Sequence, residues 1–207
     1  MGYVNYFIIC LTVIVGFAAF RAIAFQNKKS KRAMAEFWDR ENKANSVRRA
    51  DISNLDYITF NLDKLPINEA SNLGFSDICD ELGKLSDKKF LNLAAYTNTD
   101  LKMMYGPANL DTLSEYDNNF NQLMRLLNKL SKELVKIENI TLAKRVLEYS
   151  ISLGSELSSD YEMLGSIYYN ENDLTAFQKL EEQAENIESL SKNLIINKLN
   201  NIKTDDK

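Results

Sequence analysis

Residues 130–150, LSKELVKIENITLAKRVLEYS, and residues 164–184, LGSIYYNENDLTAFQKLEEQA, decide the fold of this chain. Aligned without a gap at an offset of 34 residues, the two stretches pair apolar with apolar and small with small positions. The pairs are Leu130 with Leu164, Ser131 with Gly165, Leu134 with Tyr168, Ile140 with Leu174, Ala143 with Phe177, and Ser150 with Ala184. Self-similarity at this period is typical of proteins built from repeated helical hairpins.

The period and the residue types resemble the tetratricopeptide repeat, in which small residues let two antiparallel helices cross closely. The match is best at Leu164 and Gly165, at Tyr168 and at Ala184. The chain departs from the family's small residue at Phe177, from its aromatic at Glu181, and from its closing proline at Ser155 and Ser189. The resemblance covers residues 124–191 and implies two repeats of an α-solenoid.

The rest of the chain is expected to complete an all-α fold around these repeats. Two repeats bury too little apolar surface alone, so helices within residues 75–123 should cover one end and a capping helix at 190–202 the other. Residues 51–74 are predicted to be an extended connector, with a short extended segment near 55–62, and residues 203–207 a disordered tail. With only 7 Gly and 2 Pro, the chain has few residues for the turns of a β fold.

Residues 1–25 are predicted to form one transmembrane helix. Residues 3–20 contain no charged side chain, and a helix of this kind can cross a hydrocarbon core of roughly 30 Å. No Lys or Arg precedes Arg21, so the positive-inside rule places the N-terminus outside and the remainder in the cytoplasm of a single-pass protein of the cell membrane. The alternative is a cleaved signal peptide ending near Ala22-Ile23-Ala24, but its basic residues would precede the apolar run.

Residues 26–50 are predicted to form a basic juxtamembrane helix, with eight basic and three acidic residues. Lys28, Lys29, Lys31 and Arg32 are the expected contacts to the headgroups of an anionic lipid bilayer. From residue 51 onward there are 16 basic and 26 acidic residues. This acidic balance argues against nucleic acid as the main partner, because phosphate binding requires basic surfaces.

Four further stretches are FWDRENKANSVRR at 37–49, DISNLDYITF at 51–60, LDKLP at 62–66 and KRVLE at 144–148. In these stretches the chain resembles a family of small membrane-anchored proteins of Gram-positive anaerobes. That family has no assigned activity. The resemblance therefore implies a membrane-anchored architecture and says nothing about mechanism.

The sequence indicates no enzyme, cofactor or metal site. The chain has no histidine, which is the usual general base and the commonest metal ligand. Cys10 and Cys79 are expected in different environments and do not suggest a disulfide or a zinc site. Asp77, Asp80 and Glu81 are explained by the preference of carboxylates for the first turn of a helix.

The expected function is that of a membrane-anchored scaffold or adaptor that binds a protein or peptide partner in the groove of its repeats. In the repeat register the first helix of each hairpin lines that groove. The candidate residues are Arg125, Asn128, Lys132, Lys136, Glu162, Ser166, Tyr169 and Asn170. The same residues are equally consistent with exposed helix faces that bind nothing.

Two other functions fit the same sequence. One is a structural subunit assembled through the transmembrane helix, for which Gly16, Ala18 and Ala19 offer a weak face of small residues. The other is a membrane-tethered accessory chaperone.

Overall fold

A computed structural model describes the backbone of residues 2–204 and the side chains of residues 16–17, 20–21 and 25–204. The helices are α1 (Gly2–Asn45), α2 (Ile67–Ala70), α3 (Ser76–Gly83), α4 (Asn98–Tyr105), α5 (Leu110–Lys136), α6 (Ile140–Ser152), α7 (Ser158–Asn170), α8 (Leu174–Glu185) and α9 (Lys192–Thr204). Short 3-10 segments occur at Leu62–Lys64 and Pro107–Asn109, and a π turn at Ser71–Phe75. The predicted all-α class is confirmed for this part of the chain.

The extended segment predicted near 55–62 is reduced to a single antiparallel bridge between Ile58 and Phe90. The disordered tail predicted at 203–207 is partly replaced by helix, since α9 continues to Thr204. The remaining residues, 205–207, lie outside the described part of the chain.

The transmembrane helix predicted at residues 1–25 is corrected by the structure. Among the described residues, no helix combines the length and the apolar character needed to cross a bilayer. α1 is a continuous helix of 44 residues. Its described stretch includes Arg21 and the basic run from Lys28, and such charges are costly in hydrocarbon. Most of the apolar run at 3–20 lies outside the residues whose side chains are described.

The chain divides into two compact units, of which the first comprises residues 1–50 and 98–108. In this unit α4 packs against the C-terminal part of α1. Lys102 forms an ion pair with Glu41, and its hydrogen bond, followed by that from Thr99, lowers the pKa of the Glu41 carboxyl. Gly106 follows α4 at a φ of 82°. A Cβ there would lie 2.6 Å from the carbonyl oxygen of Arg48, so only glycine fits this turn.

The second unit comprises residues 51–97 and 109–207 and contains the helical hairpins. α5 buries a stripe of leucines at the three- and four-residue spacing of an amphipathic helix, namely Leu123, Leu127, Leu130 and Leu134. α6 packs along this stripe, α7 packs on α6, and α8 and α9 pack on α7. The largest fully buried side chains of the remaining elements are Leu82, Phe90, Leu147, Leu164, Leu180, Ile195 and Leu199.

The connections α5–α6 and α7–α8 share one backbone geometry at the offset of 34 residues seen in the sequence. Glu138 and Asn172 both adopt left-handed conformations, with φ of 61° and 57°. Each is followed by the residue that caps the next helix. The side chain of Asn139 accepts from the Leu142 N–H at 3.3 Å, and that of Asp173 accepts from the Ala176 N–H at 3.0 Å.

The same regularity continues into α9. The Ser155 hydroxyl accepts from the Leu157 N–H before α7, and the Ser189 hydroxyl accepts from the Ser191 N–H before α9. α7 and α9 each have 13 residues and begin 34 positions apart. α9 therefore occupies the place of the first helix of a third repeat.

The predicted cap at 190–202 corresponds to α9. Ile195 and Leu199 are buried and Ile202 is partly buried, as the inward face of a cap requires. Leu194, also expected to face inward, is instead 54% exposed. The outer face of α9 is polar, with Asn193, Asn197, Asn200 and Asn201 all outside the core.

Candidate partner-binding surfaces

The α5 residues predicted to line the repeat groove lie mostly at the surface. Arg125, Lys132 and Lys136 are exposed, and Lys129 is exposed beside them. At spacings of four, three and four residues, these side chains share one face of the helix. We call these four residues the basic stripe. Lys129 was not predicted, although its spacing from Arg125 and Lys132 is visible in the sequence.

Most of the charge of the basic stripe is not compensated. Lys136 forms an ion pair with Glu133 at 2.6 Å. Within the described part of the chain, Arg125, Lys129 and Lys132 take part in no ion pair. Three adjacent cations on one helix face repel each other, and a partner that neutralised them would remove this repulsion.

Asn128, the fourth predicted residue of α5, is buried rather than exposed. Its side-chain nitrogen donates to the Ser159 hydroxyl at 2.7 Å and to the Asp160 carboxylate at 2.6 Å. Both acceptors lie in the first turn of α7. Asn128 therefore joins α5 to α7 inside the fold.

Asp160 is fully buried and is held by three donors. Besides Asn128, the Ser150 hydroxyl donates to it at 3.0 Å and the Ser155 hydroxyl at 2.6 Å. Among the described residues, no buried side-chain nitrogen or oxygen is left without a hydrogen-bond partner. This network links α5, α6, the α6–α7 connection and α7, so its function in the fold is to fix how the hairpins meet.

The α7 residues of the predicted groove differ in how far they are engaged. Glu162 forms an ion pair with Lys198 of α9. The Tyr169 ring packs edge-to-face on Phe177, with ring centroids 6.0 Å apart. Ser166 is half-buried and Asn170 is exposed. α9 thus takes up part of the surface that α7 was expected to offer a ligand.

A groove that the sequence did not predict runs between α6 and α8. It consists of two adjoining cavities of about 470 and 440 Å³ that share Ile151, Ser152 and Gln183. Its floor is formed by the buried side chains of Ile151, Leu164 and Leu180 and by two tyrosines, Tyr161 and Tyr168. We call it the α6–α8 groove.

The lining of the α6–α8 groove is predominantly acidic. Glu148 and Asp173 line one cavity, and Glu156 and Glu188 line the other. Lys179 is the single cation among the lining residues. The groove therefore has a charge opposite to that of the basic stripe.

The two tyrosines of the floor are held in their neutral form. Burial, together with the charges of Glu156 and Asp160, raises the pKa of Tyr161 to about 12. Burial and the hydrogen bond that the Tyr168 hydroxyl donates to Glu148 at 2.9 Å raise the pKa of Tyr168 well above its ordinary value. Both hydroxyls are hydrogen-bond donors at neutral pH, and neither is poised as a base or nucleophile.

The residues expected to contact a membrane surface lie on α1, in the first unit. Lys28, Lys29, Lys31 and Arg32 are all exposed. One turn further on, Phe37 and Trp38 are 51% and 55% exposed and pack edge-to-face on each other.

Within the residues that the structure describes, no group of three His, Cys, Asp or Glu side chains is placed to hold a metal ion. Cys79 is a buried free thiol, and its sulfur donates to the carbonyl oxygen of Ile67. Comparison with family models, with curated proteins and with solved structures finds no match to this chain. The resemblances suggested by the sequence therefore rest on its residues alone.

Proposed function

We propose that this chain is a helical-repeat adaptor that binds a segment of a partner protein, with residues 124–191 as two tetratricopeptide-like repeats. The recurring geometry of the α5–α6 and α7–α8 connections supports the repeat assignment. The observation on which the binding proposal rests is the basic stripe, since Arg125, Lys129 and Lys132 are exposed and have no ion-pair partner among the described residues.

The partner surface that fits the basic stripe is an acidic one. A single exposed ion pair contributes at most about 1 kcal/mol, so an acidic segment must engage several of these cations together. Complementary charge of this kind mainly accelerates association and selects the partner, and salt weakens it. No catalytic group is needed for such a function.

The test is a titration of the full chain with a fluorescein-labelled decapeptide of alternating Asp and Ala, followed by anisotropy at about 50 mM salt, where screening is modest. The variant Lys129→Glu/Lys132→Glu should weaken binding about tenfold or more. Its matched control is Lys84→Glu/Lys88→Glu, which makes the same charge change at exposed positions elsewhere in the second unit. Undiminished binding by the stripe variant, or an equal loss in the control, would contradict the proposal.

We also propose that the basic segment of α1 contacts anionic lipid surfaces. The supporting observation is the exposure of Lys28, Lys29, Lys31 and Arg32, each of which contributes about 1 kcal/mol near an anionic membrane. Co-sedimentation with phosphatidylserine vesicles should fall when all four are changed to Glu. A quadruple variant that still sediments like the parent would reject this contact.

A further inference from the structure

We propose that the α6–α8 groove is a second binding site, and that it takes an extended peptide segment rich in lysine or arginine. This site is formed by other helices than the basic stripe and favours a ligand of opposite charge. The two proposals can therefore fail independently.

The shape of the groove fits an extended chain. Its two cavities follow α8 from Asp173 and Thr175 at one end to Glu188 and Ser189 at the other. α8 has 12 residues, which corresponds to a length of about 18 Å. An extended peptide rises about 3.3 Å per residue, so about five or six residues would fill the groove.

The groove offers polar groups to a peptide backbone along its length. The exposed side-chain amide of Gln183 lines both cavities. Among the described residues it has no hydrogen-bond partner, so its donors and its acceptor are available. Thr175 supplies a hydroxyl at one end and Ser189 another at the other end. Backbone pairing of this kind gives affinity without demanding one peptide sequence.

The charges of the groove select basic side chains. Its carboxylates stand in two pairs, Glu148 with Asp173 and Glu156 with Glu188. Internal hydrogen bonds engage one oxygen of Glu148, through Tyr168, and one of Glu156, through Asn92 at 3.3 Å. A carboxylate has about four acceptor sites, so each can still bind a ligand cation.

The apolar floor favours the same ligand class. Lysine and arginine have long apolar stems that pack on hydrophobic surface while the charged ends stay at a polar rim. Ile151, Leu164 and Leu180 provide such a surface between the two carboxylate pairs. An acidic segment would meet only Lys179 as a favourable charge and would be repelled at both ends.

The experiment uses the full chain and a fluorescein-labelled peptide in which two lysines flank four alanines, with the corresponding glutamate peptide as the ligand control. Anisotropy should show saturable binding of the lysine peptide and little binding of the glutamate peptide. The variant Glu156→Gln/Glu188→Gln should weaken lysine-peptide binding about tenfold, whereas Lys129→Glu/Lys132→Glu should leave it unimpaired.

The matched control is Glu115→Gln/Glu182→Gln, which removes the same charge at exposed positions that do not line the groove. Its affinity should stay within about twofold of the parent. Thermal melts show whether each variant is folded, and Glu188→Gln alone, at an exposed position, replaces the double variant if that one melts early. No saturable binding, equal binding of the two peptides, or an equal loss in the control would overturn the proposal.

Discussion

The hairpins α5/α6 and α7/α8 have the same connection but different residues where their helices cross. At the two corresponding positions the first hairpin has Ser131 and Ala143, and the second has Gly165 and Phe177. All four are buried. A Cβ on Gly165 would lie 3.3 Å from the Phe177 ring, so the large ring fits because the facing residue has no side chain. The repeat keeps its loop geometry while volume is exchanged between facing positions.

The junction that follows each hairpin differs more strongly. After α6, the buried Asp160 joins three elements through hydrogen bonds. The corresponding position after α8 is Leu194, which is 54% exposed. At this second junction α9 is held by apolar packing instead, and a Cβ on Gly165 would lie 2.8 Å from Leu199 and 2.9 Å from Ile202. Gly165 therefore serves the contacts of α7 with both α8 and α9.

The largest effect is expected for Phe177→Ala. Removing the ring opposite Gly165 leaves a cavity where neither facing residue can fill the space, and such changes cost about 3–5 kcal/mol. Urea denaturation of the full chain measures the loss. Leu174→Ala on the same helix is the control, since Leu174 is 58% exposed and should cost far less. Similar losses in the two variants would remove the idea that Phe177 completes the crossing.

Gly165→Leu tests the same crossing from the other side. The new side chain would overlap Phe177, Leu199 and Ile202, and overpacking costs about 1–3 kcal/mol. Gly165→Ala should be mild, because the atoms that its methyl meets are the ends of flexible side chains and Ala restores about 1 kcal/mol of helix propensity. Thermal melts compare the two variants. A Leu variant as stable as the parent would show that α7 is not closely packed at this point.

The sequence predicted those features that depend on local chemistry. Gly165 was predicted to lie in a close helix contact, because a helix interior tolerates glycine poorly, and the structure confirms this contact. The hairpins were visible because small and apolar residues recur at a fixed offset. The caps Asn139 and Asp173 lie in the break that this pattern leaves between helices.

The features that were missed depend on distant pairs. The hydrogen bond from Asn128 to Asp160 joins residues 32 positions apart, and in the sequence Asn128 is one more polar residue of an amphipathic helix. The α6–α8 groove likewise combines side chains from several helices, whose relative positions no local pattern gives. The transmembrane prediction rested on apolar composition alone, and the described part of α1 does not support it.

A smaller effect is expected from the two helix caps. Asn139→Ala and Asp173→Ala each remove an acceptor for a first-turn N–H, which typically costs about 1 kcal/mol. Because the two connections have the same geometry, the two losses should agree within about 0.5 kcal/mol. Chemical denaturation of both variants provides the comparison, with Ser86→Ala, outside the hairpins, as a control. Losses that differ by more than about twofold would mean that the connections are not energetically equivalent.

The smallest effect separates the two left-handed residues. Glu138 and Asn172 have nearly the same φ, 61° and 57°, but asparagine adopts this conformation far more readily than glutamate. Glycine has no steric penalty there, although it increases the entropy of the unfolded chain. Glu138→Gly should therefore stabilise the protein by up to about 1 kcal/mol, whereas Asn172→Gly should be nearly neutral. Thermal melts of the two variants resolve the difference, with Glu138→Asn expected to recover much of the gain. If Asn172→Gly stabilised more than Glu138→Gly, backbone strain would not be what distinguishes the two connections.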